Sequence, residues 1–319
     1  MKEFQIIQQY FSGIGPKRKD VVLGIGDDCA LLQPTENQLV AISCDTLVEG
    51  THFLPDMPAK DLGYKSLAVN LSDLAAMGAE PAWMTLAISL PEIDEQWIAE
   101  YSQGLHEVAE YYNIALAGGD TTRGAKSLTI TVNGQVPQQK ALTRSGAKVG
   151  DWIYVTGTLG DSALGLDLLL DKQQAADKRD AEFLVNRHYR PTPRVLAGYS
   201  LRGIANSAID LSDGLYADIQ HILKASNVGA KVNLELLPLS DAMRNTVEHN
   251  RALEYALTGG EDYELLFTVP ESQDGTLITA MKQARVPYRK IGQITSENTL
   301  TLLKDNQVFP FEHKGFKHF

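Results

Sequence analysis

The chain has 319 residues, of which 44% are hydrophobic and 22% charged, so it can fill two domains of about 150 residues, and extensive disorder is excluded. Its 29 Lys and Arg against 40 Asp and Glu give a formal net charge of −11, which argues against a nucleic-acid-binding protein because such proteins need basic patches. Two cysteines, Cys29 and Cys44, cannot build a disulfide framework. The sequence has no run of about 18 apolar residues, which a membrane span needs, and no apolar signal-peptide core at its start. These features favour a cytoplasmic protein without a membrane partner.

The first half of the chain alternates strand and helix patterns. We predict strands over 40–43, 83–90, 114–117 and 127–136, and helices over 61–78 and 94–112. Apolar residues at three- and four-residue spacing indicate both helices, and Asp94 is the predicted N-cap of the second. The last strand alternates apolar and polar residues, which is typical of a half-buried strand.

A second series of strands and helices follows a polar stretch over 137–150. We place the domain boundary in this stretch, giving domains 1–137 and 138–319. The predicted strands cover 152–156, 208–210, 264–269 and 289–294, and the predicted helices cover 161–171, 180–189, 192–201 and 213–225. The mixture implies α/β or α+β domains whose sheets are covered by helices.

Carboxylates recur beside Gly, Ser and Thr, mostly where apolar strands end. The acidic segments are 24–28, 43–46, 118–122, 210–214 and 259–262, together with Asp73 in a helix. Unpaired acids at such places are costly, and the sequence offers few nearby cations beyond Arg123, Arg144 and Lys65. Hard oxygen ligands without His or Cys spacing indicate Mg²⁺, and the glycines allow close approach of phosphate. The pattern predicts a nucleotide or phosphate-ester enzyme that uses several Mg²⁺ ions.

Each segment alone also has an ordinary structural interpretation. The P-loop and the protein-kinase motifs are absent, and Gly24-Ile25-Gly26 lacks the third glycine of a dinucleotide fingerprint. The alternatives that stay open are turn formation by Asp27 or Asp28, a simple hydrogen bond at Asp73, helix capping by Asp120 or Asp213, a tight turn at Gly259-Gly260, a solvated Arg144 and a surface His52.

Taken together, the motifs resemble one known family over nearly the whole chain. They are Gly24-Ile25-Gly26-Asp27-Asp28, Asp45-Thr46-Leu47, Asn70-Leu71-Ser72-Asp73, Gly118-Gly119-Asp120-Thr121-Thr122, Leu142-Thr143-Arg144, Asp210-Leu211-Ser212-Asp213-Gly214 and Gly259-Gly260-Glu261-Asp262. In order and spacing they are similar to the bacterial thiamine-monophosphate kinases, in the superfamily of aminoimidazole ribonucleotide synthetase. The resemblance implies two domains, an N-terminal α/β domain that dimerises through its sheet and a C-terminal α+β domain.

The resemblance also implies a phosphotransferase reaction and its residues. ATP would phosphorylate thiamine monophosphate to thiamine diphosphate, the last step in making that coenzyme. The implied Mg²⁺ ligands are Asp28, Ser43, Cys44, Asp45, Asp73, Asp120, Asp210 and Asp213. The implied ATP contacts are Gly119, Asp120, Arg144 and Ser212, and the substrate contacts are His52, Glu261 and Phe316. Asp45, Asp73, Asp120 and Arg144 are the expected catalytic residues.

Position 44 is commonly Thr in that family. A backbone carbonyl ligand would tolerate Cys44, whereas a hydroxyl ligand would not, because a thiol is softer, and the sequence leaves both arrangements open. The acceptor phosphate is already mostly dianionic near neutral pH, so we expect direct transfer without a general base or a phosphoenzyme.

Two alternatives to this assignment remain open. A purine-synthesis relative shares the acidic ATP site without needing a cysteine, and a non-catalytic nucleotide- or Mg²⁺-binding protein would keep the fold. Two other relatives fit less well, because the first 28 residues contain no Cys, as selenophosphate synthesis requires, and the sequence ends in His318-Phe319 rather than the Cys of hydrogenase maturation.

Overall fold

The structure is a computed structural model that describes residues 3–311, so the predicted substrate contact Phe316 lies outside the described residues. The chain divides into two compact units. Unit 1 comprises 1–74 and 79–139, and unit 2 comprises 75–78 and 140–319. None of the helices in the described part is long and apolar enough to cross a membrane.

Unit 1 is built on a four-stranded sheet of order β3-β6-β4-β5, beside a two-stranded β1-β2 sheet. Its elements are α1 (Glu3–Ile6) with a π-helical turn (Ile7–Phe11), β1 (Val21–Leu23), β2 (Leu31–Leu32), β3 (Gln38–Val48), α2 (Ala59–Ala76), β4 (Glu80–Leu90), α3 (Glu95–Tyr111), β5 (Ala115–Arg123) and β6 (Ser127–Pro137). In β6, Leu128, Ile130 and Val132 are buried and alternate with half-buried polar residues, as the sequence predicts.

The helices of unit 1 follow their predicted signals. The Asp94 side chain accepts hydrogen bonds from the Gln96 and Trp97 N–H groups and so caps α3. The first long helix ends at Ala76, two residues before Gly78, whose φ of +63° is the left-handed conformation expected just past a helix end.

Unit 2 contains a seven-stranded mixed sheet of order β13-β12-β9-β11-β7-β10-β8. Its elements are β7 (Trp152–Thr156), α4 (Asp161–Leu169), α5 (Lys178–Tyr189), α6 (Val195–Leu201), β8 (Ser207–Asp210), α7 (Leu215–Ser226), β9 (Gly229–Asn233), a 3₁₀ turn (Leu234–Leu236), α8 (Asp241–Thr246), α9 (His249–Thr258), β10 (Leu265–Val269), a 3₁₀ turn (Glu271–Gln273), α10 (Asp274–Ala284), β11 (Tyr288–Thr295), β12 (Leu300–Lys304) and β13 (Gln307–Val308). Its core joins β7, β10 and β11 with α4, α7 and α9.

Two sequence-based expectations about the acidic segments are wrong. The predicted strand 40–43 runs from Gln38 to Val48, and 114–117 extends to Arg123, so the acids at 45 and 120 lie inside edge strands rather than after them. Polar residues are tolerated there because an edge strand is covered on fewer sides. Helix capping by Asp213, an alternative that the sequence left open, does not occur, since the N-cap position of α7 is Gly214.

Candidate active site

In unit 1, the carboxylates of Asp45 in β3 and Asp73 in α2 interact with each other. Burial, and after it the negative charge of Asp73, raises the pKa of Asp45 to about 6. The Ser43 hydroxyl donates a 2.5 Å hydrogen bond to Asp73 Oδ2, and Asn70 Oδ1 accepts one of 3.1 Å from the Asp45 N–H. Two half-buried carboxylates that repel each other beside a hydroxyl fit a divalent cation, because a cation would remove the repulsion.

Asp120 does not join this pair within one chain. Sheet register aligns Asp45 with Ile130, Leu86 and Gly119, and Asp120 lies in the next row, so its side chain projects from the opposite face. β3 and β5 are the two edge strands of the sheet, three strand spacings or roughly 14 Å apart. The expected central set of three aspartates is therefore two separate groups in unit 1.

Cys44 also projects from the face opposite to Asp45. Its Sγ accepts a 3.3 Å hydrogen bond from the Thr131 hydroxyl, and the side chain is exposed. Because neighbouring residues of a strand point to opposite faces, this thiol cannot share a site with the side chains of Ser43 and Asp45. Only the backbone of Cys44 can therefore act as the predicted Mg²⁺ ligand beside these side chains.

Two other predicted residues of unit 1 lie in connecting segments. Asp28 is exposed in the loop between β1 and β2, and its N–H donates a 2.8 Å hydrogen bond to Asp27 Oδ1. His52 follows β3, and its Nδ1 accepts a 3.1 Å hydrogen bond from the Val48 N–H. In the neutral ring this contact places the proton on Nε2, which makes that atom a hydrogen-bond donor.

Gly119 is required by the close packing of two neighbouring strands. A Cβ at this position would lie 1.9 Å from the Leu86 carbonyl oxygen of the neighbouring strand. The glycine signal that the sequence associates with phosphate approach is therefore explained at this position by the approach of two strands.

In unit 2, strand pairing brings two of the acidic segments together. Asp210 ends β8 opposite Leu265 of β10, so the residues after Asp210 meet those before Leu265. The Glu261 N–H donates a 2.8 Å hydrogen bond to the Ser212 carbonyl, and the Tyr263 N–H one of 2.9 Å to the Leu211 carbonyl. The predicted ATP contact Ser212 and the predicted substrate contact Glu261 thus lie side by side.

Arg144 lies on the polar connection at the start of unit 2. Its side chain is exposed, and its carbonyl accepts a 3.3 Å hydrogen bond from the Ser226 hydroxyl at the end of α7. The backbone is held while the guanidinium faces solvent, which fits both the predicted phosphate contact and the ordinary solvated arginine.

Sequence reasoning missed Asp218 in α7. Its buried carboxylate accepts a 3.0 Å hydrogen bond from the Asp213 N–H, and burial, with the charges of Asp213 and Asp210 adding to it, raises its pKa to about 7. The sequence does contain a signal for this residue, because Asp218 falls on the same helix face as Leu215, Ile219 and Ile222. A carboxylate on an apolar helix face is costly to bury and therefore indicates a functional or structural role.

A buried ionic network was also missed, and the expectation of few cations near the acids is wrong for unit 2. Arg194 makes two hydrogen bonds of 2.6 Å to the Glu264 carboxylate, and Arg187 adds one of 2.9 Å. Burial opposes the charge of Glu264, but Arg194 and Arg187 hold its pKa below the usual range. Arg194 and Arg187 are 70 and 77 residues from Glu264, so no local sequence pattern predicts these ion pairs.

Asp262 anchors the segment 259–264 to the start of α4. Its buried carboxylate accepts hydrogen bonds of 2.6 Å from the Gly160 N–H and 3.3 Å from the Ser162 N–H. Burial raises the pKa of Asp262 to about 8 against the opposing effect of these donors, and Asp161 adds to the rise. The two neighbours of Asp262 in this segment, Glu261 and Tyr263, both have positive φ, at +66° and +51°.

Over residues 3–311, no group of three or more His, Cys, Asp or Glu side chains is arranged to hold a metal ion by itself. Mg²⁺ commonly takes one or two carboxylates from the protein and completes its shell with water and phosphate oxygens. The pair Asp45 and Asp73 matches that smaller requirement.

Two family descriptions match the chain in the order of its two units. The description "AIR synthase related protein, N-terminal domain" matches residues 26–136, and "AIR synthase related protein, C-terminal domain" matches residues 148–305. The fold is therefore the two-domain fold of AIR synthase related proteins.

Individual relatives identify the family within this class of proteins. A thiamine-monophosphate kinase of Escherichia coli (strain K12) is 56% identical over 318 residues, covering 99% of this chain and 98% of the relative. The crystal structure of thiamine-monophosphate kinase from Stenotrophomonas maltophilia K279a is 46% identical with a TM-score of 0.86, over 92% of this chain and 93% of that one. A structure of AaThiL complexed with AMPPCP and TMP is 32% identical with a TM-score of 0.78, over 92% of both chains. This chain belongs to the thiamine-monophosphate kinase family.

Proposed function

We propose that this protein is a thiamine-phosphate kinase. It transfers the γ-phosphoryl group of ATP to the phosphate of thiamine monophosphate and releases ADP and thiamine diphosphate. The observation that carries the proposal is the 56% identity over 99% of the chain to the kinase of Escherichia coli, and the AaThiL complex with AMPPCP and TMP supports the substrate pair.

The acidic pair of unit 1 is the proposed Mg²⁺ site. Asp45 and Asp73 would hold the ion, with Ser43 beside them, because their mutual repulsion is what a divalent cation relieves. The bound ion would neutralise charge on the reacting phosphates. Further ions would use the remaining predicted ligands, namely Asp28, the Cys44 backbone, Asp120, Asp210 and Asp213.

The predicted ligand contacts divide between the two substrates. Arg144 would grip a phosphate of ATP through its guanidinium fork, with Gly119, Asp120 and Ser212 as further contacts. On the acceptor side, His52 would donate from Nε2 because Nδ1 already accepts from Val48. Glu261 would contact thiamine monophosphate from the segment beside Ser212, and Phe316 is the remaining predicted contact.

The transfer is proposed to be direct. The acceptor is a phosphate monoester with a second pKa of about 6, so its oxygen is already a nucleophile and no residue has to remove a proton. The protein's task is to bring two anions into line and to balance their charge. Kinetics should be sequential, with no ADP released before the acceptor binds.

The proposed assembly is a cytoplasmic homodimer formed through the sheet of unit 1. In support, the edge strand β3 exposes 49% of Leu39, 39% of Val40 and 66% of Ile42, an apolar edge of the kind that another chain covers. The free thiols Cys29 and Cys44 fit a reducing compartment.

An ADP-release assay with ATP and Mg²⁺ tests the activity. ADP should form when thiamine monophosphate is added, and not with free thiamine or with no acceptor. Equal or faster turnover on thiamine would overturn the substrate assignment. No turnover on the monophosphate would favour a purine-synthesis relative or a non-catalytic nucleotide-binding protein.

A further inference from the structure

The segment 259–264 of unit 2 holds Glu261 in a strained backbone conformation. A φ of +66° is unusual for a residue with a long side chain, and Tyr263 two positions later is at +51°. Such conformations persist only where the surroundings enforce them, and they concentrate at functional sites. Asp262, pinned to the Gly160 and Ser162 N–H groups, lies between these two residues.

The side chain of Glu261 is held from one side by α5. Nδ1 of His188, whose side chain is only 3% exposed, lies 3.5 Å from Glu261 Oε2. The same Nδ1 lies 3.0 Å from the Ser162 hydroxyl. A carboxylate only accepts hydrogen bonds, so the contact with Glu261 is attractive when Nδ1 carries a proton, and the Ser162 hydroxyl oxygen then accepts from the same N–H group.

Glu261 remains accessible to a ligand, since 28% of its side chain is exposed. A carboxylate that is held by a buried neighbour and is still partly exposed is oriented before a ligand arrives. Binding then costs less, because the side chain has already lost its rotational freedom.

We propose that His188 is a positioning residue for Glu261 and sets the orientation in which Glu261 meets thiamine monophosphate. This inference rests on the proposed function. His188 itself is too deeply buried to be assigned a contact with the substrate.

Three variants test the proposal in steady-state kinetics. His188→Leu removes the Nδ1 donor and should raise KM for thiamine monophosphate about tenfold, with kcat and KM for ATP little changed, because the polar contact that orients the Glu261 carboxylate is lost. His188→Asn places an amide donor close to the position of Nδ1 and should restore most of the affinity. His249→Leu, on the exposed first residue of α9, is the matched control and should match the wild type.

A double-mutant cycle separates positioning from a merely structural effect. Glu261→Gln should raise KM for thiamine monophosphate, and adding His188→Leu to it should change KM less than twofold, because the residue through which His188 acts is already altered. A full additional loss in the double variant would overturn the proposal, as would a wild-type KM in folded His188→Leu.

If His188→Leu does not fold, His188→Phe carries the test. It keeps a ring in the buried site but removes the Nδ1 donor, and it should raise KM for thiamine monophosphate about tenfold, whereas an unchanged KM would overturn the proposal. If the wild-type protein does not phosphorylate thiamine monophosphate at all, the proposed function fails and this inference falls with it. That result differs visibly from an active wild type whose variants are unaffected.

Discussion

At Asp45, burial and the carboxylate of Asp73 act in the same direction, since both disfavour the charged form and raise the pKa of Asp45 to about 6. The protein tolerates this cost beside a serine hydroxyl and an asparagine amide, an environment that supports the proposed role of Asp45 as a cation ligand. The chemistry proposed for unit 1 therefore depends on this pair of carboxylates.

Neutralising one acid at a time tests this site. Asp45→Asn or Asp73→Asn should lower kcat at least ~100-fold, because each removes charge from a proposed metal ligand, and Asp120→Asn is expected to do the same. Without Mg²⁺, the melting temperatures of the Asp45 and Asp73 variants should equal or exceed the wild-type value, since a like-charge repulsion is removed.

Asp177→Asn is the control for these variants. Asp177 is the N-cap of α5 and accepts a 2.8 Å hydrogen bond from the Arg179 N–H, and Asn caps equally well. Its activity and stability should be those of the wild type. Near-native kcat in all three acid variants would contradict the metal site.

Asp262 gives a pH dependence of stability with a defined sign. Below about pH 4 both the folded and the unfolded chain carry this proton. Between that value and the folded pKa of about 8, the unfolded chain releases the proton while the folded chain keeps it, so stability falls as pH rises. Above pH 8 both forms are ionised and this contribution becomes constant.

Denaturant unfolding at several pH values measures this effect. The free energy of unfolding of the wild type should decrease from pH 5 to pH 8 by more than that of Asp262→Asn, with a difference on the order of a few kcal/mol. Identical pH slopes for the two proteins would show that Asp262 does not keep its proton in the folded state.

At the scale of elements, local patterns predicted those elements whose signals are local. The cap at Asp94, the alternation of Leu128, Ile130 and Val132, and the strand Trp152–Thr156 all lie where the sequence places them. The edge strands β3 and β5 run longer than predicted because their Ser, Thr, Gly and Asp residues carry no apolar signal.

The candidate site could be predicted only in part, for a related reason. The acidic segments are visible in the sequence, but their grouping depends on strand order, which puts Asp120 and Asp45 on opposite edges and faces of one sheet. Arg187 and Arg194 lie 77 and 70 residues from their partner Glu264, so no local sequence period predicts these ion pairs. Such contacts are decided by topology rather than by local propensity.

Close packing of α2 against α3 gives a prediction at this scale. A Cβ at Gly104 would lie 1.8 Å from the Lys60 carbonyl oxygen, so Gly104→Ala must push the two helices apart. The free energy of unfolding should fall by about 2 kcal/mol, and activity should fall too because α2 carries Asp73. Gly275→Ala is the control, since its Cβ would meet nothing within 4 Å, and it should leave stability unchanged or raise it by up to ~1 kcal/mol.

Thermal or denaturant unfolding distinguishes the two glycine variants. Equal stability of Gly104→Ala and Gly275→Ala would contradict the close approach of the helices.

At the scale of the whole molecule, the exposed apolar residues of β3 predict self-association. Sedimentation should give a homodimer at micromolar concentration, and Ile42→Glu, which places a charge on a residue that is 66% exposed, should shift it toward monomer without unfolding it. An exposed substitution on unit 2, Ile278→Glu at 59% exposure, is the control and should not dissociate the dimer. A wild-type protein that is monomeric at every concentration would refute the proposed assembly.

The protein transfers the γ-phosphoryl group of ATP to the phosphate of thiamine monophosphate. The most direct measurement is incubation with ATP labelled at the γ-phosphorus, thiamine monophosphate and Mg²⁺, followed by chromatographic separation of the thiamine phosphates. The label should appear in thiamine diphosphate in a one-to-one ratio with ADP, and only when the acceptor is present. Label in inorganic phosphate or on the protein, with none in thiamine diphosphate, would contradict the account.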